Sequence, residues 1–171
     1  WGASHFLVVG LLFFFSGLSS LIYQVIWTRE LVFVFGSTSF ASSTVLSAFM
    51  GGLGLGSYFA GEYCDRMKNP FLWYGILEAG IGVWALLVPF LLDAAIPFYK
   101  IFWQAFHSEV LVFSLVRFAV VALILLPPTV FMGATLPLLA RFIISSLSIV
   151  GNRVGFLYSI NTCGAVFGAV T

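Results

Sequence analysis

The chain has 171 residues, of which 61% are hydrophobic and only 8% are charged, and its formal net charge is +1. Soluble domains carry about 25% charged residues, so this composition excludes an ordinary soluble fold. No stretch is basic enough to bind nucleic acid. The composition therefore predicts an integral membrane protein whose first partner is the lipid bilayer.

Five apolar segments follow one another along the chain. Each is long enough, or nearly so, to cross a hydrocarbon core of about 30 Å as a helix. Lipid offers open backbone groups no partner, so we expect helical spans and an all-α, polytopic bundle in one transmembrane domain, 1–171. The last segment ends without a helix stop signal, so we expect a longer parent chain. The predicted spans are 6–27, 37–61, 71–92, 110–145 and 154–171.

The first span carries a polar stripe that includes Tyr23 and Gln24. A glutamine is costly against lipid, so this face is expected to look into the bundle. Polar linings of this kind occur in solute paths, and hydrogen bonds that only hold helices together are at least as common. The other members of the stripe are Ser16, Ser19, Ser20 and Trp27.

Glycines are spaced four apart in the second and last spans, at Gly52 and Gly56 and at Gly164 and Gly168. This spacing lets helix backbones approach closely, so we predict helix packing at all four positions. The second span closes on a loop with Gly61, Asp65 and Arg66. We expect Asp65 to act as a structural latch that accepts from backbone donors or from an arginine of a neighbouring span. A merely solvated turn is the alternative.

Cationic residues concentrate on one side of the predicted bundle. Links 62–70 and 146–153 and their flanks hold Arg66, Lys68, Arg141 and Arg153, against Arg29 and Lys100 on the other side. Cytoplasmic loops carry the excess of Lys and Arg, so we predict a cytoplasmic N-terminus.

Two ionisable residues lie inside apolar runs, Glu78 in the third span and Arg117 in the fourth. A charge at membrane depth costs several kcal/mol unless it is paired or hydrated. Both residues are expected about 12 Å from opposite faces, which predicts a Glu78–Arg117 ion pair or a shared polar network. Such a pair either locks two helices together or belongs to a solute or proton path.

Segments 93–109 and 110–145 depart from a simple span. The first carries an aromatic face with a polar back, which predicts an interfacial amphipathic helix; ordinary packing is the alternative. The second is too long for a straight span and contains Pro127-Pro128, so we predict one long helix kinked there rather than two crossings. The aromatic positions are Phe98, Tyr99, Phe102, Trp103 and Phe106.

Neither catalytic nor metal-binding patterns are found. The two cysteines lie far apart, outside any Cys/His cluster, so we expect small apolar fillers and no metal or cofactor in this chain.

Several strings resemble known families. Gly61-Glu-Tyr-Cys-Asp65-Arg66-Met-Lys68 resembles the loop after the second span of the major facilitator superfamily, although it lacks that loop's second Gly, and the segment 153–168 resembles its entry to the fifth span. Four further strings are similar to the membrane region of bacterial proteins that fuse facilitator-like spans to a spermidine-synthase-like domain. They are Ser16-Gly-Leu-Ser-Ser-Leu-Ile-Tyr23-Gln-Val-Ile-Trp27-Thr-Arg29, Leu77-Glu78-Ala-Gly-Ile-Gly82, Pro127-Pro128-Thr-Val-Phe-Met132-Gly133-Ala-Thr135-Leu-Pro137-Leu-Leu-Ala-Arg141 and Tyr158-Ser-Ile-Asn161-Thr162-Cys-Gly164-Ala.

This resemblance implies about five spans of a facilitator-like half in a bacterial inner membrane. It also implies a soluble polyamine aminopropyltransferase-like domain elsewhere in the parent protein, which the spans would anchor and supply with amine. These 171 residues hold none of that domain's catalytic residues, so whether the parent is an enzyme stays open. The alternatives are a non-catalytic structural subunit of a larger membrane complex, packed against other membrane helices, and half of a secondary transporter.

Overall fold

A computed structural model describes residues 3–35, 38–106, 110–143 and 150–170. These residues form five long helices and a single 3₁₀ turn, with no strand in the described ranges. The helices are α1 (Ala3–Phe35), α2 (Thr38–Tyr63), α3 (Pro70–Phe106), α4 (Val110–Ile143) and α5 (Val150–Val170), and the turn, Cys64–Arg66, follows α2.

Three of the helices described are long and apolar enough to cross a membrane. Their spanning segments are Phe6–Phe33 in α1, Pro70–Ile101 in α3 and Leu111–Ile143 in α4. The other two helices contain many glycines and hydroxyl side chains, which lower their mean hydropathy, so hydropathy alone does not confirm five spans. The described part of the chain is therefore all-helical, with three candidate membrane helices.

The predicted interfacial helix at 93–109 is wrong as a separate element. α3 runs unbroken from Pro70 to Phe106, with Pro89 and Pro97 inside it. A proline removes only one backbone donor from the helix. In lipid the helix continues past the proline, because ending it there would leave more backbone polar groups without partners. Tyr99 of the expected aromatic face is buried in the bundle. Residues 107–109 and the side chains of 102, 103 and 106 lie outside the described part.

α4 is likewise one helix that passes through Pro127, Pro128 and Pro137. The two halves of this segment are therefore not separate helices. Positions 144 and 145 of the predicted span lie outside the described residues.

Neighbouring helices satisfy two carbonyls that these prolines free. Pro128 has no N–H to donate to the carbonyl of Ile124, and the Trp84 indole Nε1–H from α3 donates to that oxygen at 2.9 Å. Pro137 frees the carbonyl of Gly133 in the same way, and Ser57 Oγ from α2 donates to it at 2.9 Å. Both prolines thus tie α4 to a neighbour, because lipid provides no water to replace the lost bond.

Contacts between helices give their relative directions. α3 and α4 are antiparallel, since Phe71 stacks on Phe142 at one end and Tyr99 lies beside Arg117 at the other. α1 runs parallel to α3, because Ser16 meets Glu78 and, further along both helices, Glu30 and Asp93 line one cavity. α2 runs parallel to α4 and α5 runs parallel to α1, as the glycine contacts described next show.

Two helix pairs pack through the same backbone contacts. A Cβ on Gly164 of α5 would strike the carbonyl oxygen of Phe14 and the amide of Leu18 in α1, and a Cβ on Gly56 of α2 would strike the same atoms of Val130 and Ala134 in α4.

The reciprocal contacts match as well. A Cβ on Gly17 of α1 would strike the Asn161 carbonyl, and one on Gly133 of α4 would strike the Leu53 carbonyl. The pair α1–α5 is thus repeated as α4–α2. Because α1 and α4 run in opposite directions, the repeat is inverted.

Candidate functional site

The candidate site is built around Glu78, a carboxylate inside the apolar segment of α3. Ser16 Oγ of α1 donates a hydrogen bond to Glu78 Oε1 at 2.6 Å. The hydroxyl of Tyr74, one helical turn before Glu78, donates a second hydrogen bond to the same carboxylate. Tyr74 is 4% exposed and Ser16 is 8% exposed, so both donors are fixed inside the bundle.

This cluster lies between the two hydrophobic cores of the bundle. Phe13 and Tyr74 belong to one core, and Trp27 and Ile81, further along the same two helices, belong to the other. Glu78 comes eight positions after Pro70, which places it about 12 Å from the start of the α3 span. The carboxylate therefore lies inside the apolar segment of a candidate membrane helix, where an uncompensated charge is costly.

A cavity of about 330 Å³ opens beside the carboxylate, between α1 and α3. Ser19 lines it on the α1 side, and Leu12 and Phe15 stand at its edge. No Lys or Arg is among the described residues that line it. A carboxylate held by two hydroxyl donors can take up a proton or an organic cation there, and either would remove the cost of its charge.

The predicted Glu78–Arg117 ion pair is wrong. Arg117 lies at the level of Tyr99, which is 21 positions beyond Glu78 and so about 30 Å further along α3. The prediction ended the third span at Leu92, whereas α3 continues to Phe106, so the two charges sit toward opposite ends of the bundle.

Of the predicted polar stripe, the Ser16 part reaches the site and the Tyr23–Gln24 part does not. Tyr23 stacks on Trp27 with ring centroids 5.6 Å apart, against the hydrophobic core. Gln24 is half-buried on α1, and its backbone carbonyl accepts a hydrogen bond from the Thr28 hydroxyl. Neither residue is among those that line the Glu78 cavity.

Asp65, in the turn after α2, pairs with an arginine of a neighbouring helix. Arg141 Nε of α4 lies 2.9 Å from Asp65 Oδ1, and the side chains are 49% and 77% exposed respectively. Arg66 instead lies over the ring of Tyr63 at 5.7 Å, and the Gly61 carbonyl accepts a bond from the Cys64 thiol. The contact is the kind that a latch needs; its role as a latch stays a prediction.

The four glycines singled out for packing all lie where a partner helix approaches closely. A Cβ at each would strike the partner helix, at Thr129 for Gly52 and at Leu18 for Gly168, besides the contacts of Gly56 and Gly164 given above. Gly61 is different, because a Cβ there would meet no atom within 4 Å.

Sequence reasoning missed the two hydroxyl donors of Glu78. Tyr74 and Glu78 are four apart, so they share a helix face, and that spacing could have identified them as a pair. Ser16 comes from another helix and has no such signal. In the described ranges no group of three His, Cys, Asp or Glu side chains could hold a metal ion.

Comparison with protein-family models, with curated proteins and with solved structures finds no match to this chain.

Proposed function

We propose that this chain is the membrane-embedded domain of a polyamine aminopropyltransferase-like protein, which it anchors in a bacterial inner membrane and supplies with amine. The observation that carries the proposal is the Glu78 carboxylate, held by Ser16 and Tyr74 beside a cavity at membrane depth. A linear polyamine fits such a site chemically, because one ammonium group can neutralise the carboxylate while the methylene chain lies along apolar walls.

The site's donors support a cation rather than an anion as its ligand. Ser16 and Tyr74 both donate to the carboxylate, and this leaves the remaining lone pairs of Glu78 as acceptors facing the cavity. An ammonium group has three donors and no acceptor, so it is the complementary partner.

Equilibrium binding of radiolabelled spermidine to the chain in lipid nanodiscs tests this proposal. We expect Glu78→Gln to weaken binding by at least about ten-fold, because an amide cannot balance the ammonium charge. Tyr74→Phe should weaken it less, since it removes one donor and keeps the charge. Glu62→Gln is the matched control, because Glu62 is an exposed glutamate outside the cavity. Equal affinities of the wild type and Glu78→Gln would overturn the assignment.

The packing of the helices supports five membrane crossings, although only three helices are apolar enough to be identified as spans by hydropathy. α2 packs along α4 in parallel from Gly52 to the Asp65–Arg141 pair, so if α4 crosses the bilayer then α2 crosses beside it. α5 accompanies α1 in the same way. A glycine-rich helix can cross where its small residues meet another helix rather than lipid.

The inverted repeat favours one more helix on the outer face of α1. α3 covers Ile124, Phe131 and Phe142 of α4. In the register that matches Phe14 to Val130, the equivalent α1 residues are Val8, Phe15 and Ile26, which are 52%, 58% and 43% exposed. A helix docked there, from the parent chain or from a partner subunit, would also close the Glu78 cavity beside Phe15.

The same repeat favours a second candidate function, half of a secondary transporter. Inverted repeats are common in such proteins, whose sites lie near the membrane midplane at the repeat interface. Uptake of labelled spermidine into vesicles that contain the parent protein separates the two. Accumulation above that of protein-free vesicles supports transport, and binding without accumulation supports anchoring and supply. The reading frame downstream of Thr171 tests the fusion, which requires an α/β enzyme domain to follow.

A further inference from the structure

A second and larger cavity lies at the other end of the bundle from the Asp65–Arg141 pair. It has a volume of about 610 Å³ and is formed where α1 ends, where α3 passes Leu92 to Lys100 and where α4 begins. Four charged side chains line it, two of each sign, Glu30, Asp93, Lys100 and Arg117. Most of the remaining wall is apolar. Glu78 is not part of it, so this cavity is independent of the proposed amine site.

Two hydrogen-bond donors converge on the inner part of this cavity. The Arg117 guanidinium is half-buried, with its Cζ 4.5 Å from the centre of the Phe113 ring and 5.9 Å from the centre of the Tyr99 ring. Tyr99 is 5% exposed, and its hydroxyl is buried with no hydrogen-bond partner among the described residues. A buried hydroxyl without a partner costs free energy, which a ligand acceptor would recover.

The two carboxylates lie on the exposed side of the same cavity. Glu30 and Asp93 are both exposed, whereas Tyr99 and Arg117 are more deeply placed. A ligand that matches this arrangement of charges has an anionic group directed inward and an ammonium group directed outward. A planar guanidinium is well suited to a phosphate, because its parallel N–H groups can bond two oxygens at once.

The cavity is also at the depth of lipid headgroups. Arg117 comes six positions after the start of the α4 span, Leu111, and is therefore about 9 Å from its end. Glu30 is three positions before the end of the α1 span, Phe33. The charged side chains of the cavity are therefore at a level that phospholipid headgroups can reach.

We propose that this cavity binds a phosphoethanolamine group, with the phosphate on Arg117 and Tyr99 and the ammonium on Glu30 and Asp93. Phosphatidylethanolamine of the bilayer and a soluble phosphoethanolamine ester carry the same group. The choline headgroup has the phosphate but no N–H to donate to the carboxylates, and the glycerol headgroup has no ammonium.

The test is the thermal midpoint of the full chain in nanodiscs of phosphatidylcholine, with or without phosphatidylethanolamine or phosphatidylglycerol replacing part of it. We expect phosphatidylethanolamine to raise the midpoint by about 5 °C, and phosphatidylglycerol by less than half as much. Arg117→Gln and Tyr99→Phe should abolish this rise. Arg29→Gln is the control, because Arg29 is exposed on α1 near the cavity without lining it.

Tyr99→Phe keeps the test decisive if Arg117→Gln fails to fold. It removes one oxygen that has no described partner, so its midpoint in pure phosphatidylcholine should not fall below that of the wild type. A rise with soluble phosphoethanolamine in phosphatidylcholine nanodiscs, and none with the lipid, would assign the same group to a solute. Equal midpoints in all lipids and with the solute, an equal rise with phosphatidylglycerol, or a rise that survives Tyr99→Phe would each overturn the proposal.

Discussion

At the scale of single residues, the prolines of α4 create hydrogen-bond acceptors that other helices use. Trp84 donates to the carbonyl freed by Pro128, and Ser57 donates to the one freed by Pro137. Each donor comes from a different helix, so each proline contributes to a helix–helix contact that an unbroken backbone ladder would not offer.

We predict that Trp84→Phe lowers the thermal midpoint and that Pro128→Ala restores part of the loss. The first change leaves the Ile124 carbonyl without its donor, at a cost of about 1–3 kcal/mol. The second supplies a backbone N–H to the same oxygen, so the two effects should be strongly non-additive in a double-mutant cycle measured by thermal unfolding in detergent. Trp73→Phe is the control, since Trp73 is exposed. Additive effects would show that the indole bond is unrelated to the proline.

The Asp65–Arg141 pair is expected to contribute little, and in a salt-dependent way. Because both side chains are substantially exposed, a pair of this kind contributes about 0–1 kcal/mol. Asp65→Asn should lower folded yield and the midpoint slightly at low salt and have no effect at about 1 M salt, where the Debye length is about 3 Å. Arg66→Gln should leave both unchanged. A large, salt-independent loss in Asp65→Asn would indicate a role beyond this pair.

At the scale of helices, close backbone contact holds α2 to α4 and α5 to α1. We predict that Gly56→Ala and Gly164→Ala destabilise the bundle by about 1–3 kcal/mol, because each added methyl meets backbone atoms that cannot rotate away. Gly54→Ala lies on the same helix as Gly56, and a Cβ there meets no atom within 4 Å. It should be neutral or slightly stabilising, since alanine is the better helix former. Thermal unfolding of the three variants in one detergent measures the difference, and equal losses would contradict the packing.

The helices were largely predictable from sequence, and their neighbours only in part. Long apolar runs predict helices, and the spacing of Gly52 and Gly56 predicts a close contact without saying which helix provides it. The end of the third span was misjudged, because Asp93 and Lys100 look like residues of a link, whereas both lie inside the continuous helix α3. Because of that error, the prediction placed Arg117 close to Glu78. Ser16 could not have been foreseen as a partner of Glu78, since the contact depends on how α1 and α3 dock.

At the scale of the whole molecule, the seven cationic residues divide between the two ends of the bundle, with Arg66, Lys68, Arg141 and Arg153 at one end. Arg141 reaches the turn after α2, and Arg153 donates to the Ile143 carbonyl at the C-terminus of α4 at 2.8 Å, which satisfies a group that the helix leaves open. Arg29, Lys100 and Arg117 lie at the other end. By the positive-inside rule, this excess of four over three favours a cytoplasmic N-terminus, which stays a prediction.

Cysteine accessibility in intact cells tests that orientation. In a background with Cys64 and Cys163 replaced by Ser, Lys68→Cys and Lys100→Cys place one thiol at each end of α3. We expect a membrane-impermeant maleimide to label Lys100→Cys from outside, and Lys68→Cys only after permeabilisation. Labelling of both from the same side would contradict a crossing by α3.

The central claim is that Glu78 is a membrane-embedded carboxylate that binds an amine, and reaction with dicyclohexylcarbodiimide tests it most directly. This apolar reagent partitions into lipid and adds covalently to protonated carboxyl groups there. We predict one adduct in nanodiscs, mapped by mass spectrometry to the peptide with Glu78, lost in Glu78→Gln and suppressed by spermidine. Adducts confined to other carboxylates, or labelling of Glu78 that spermidine leaves unchanged, would contradict the account.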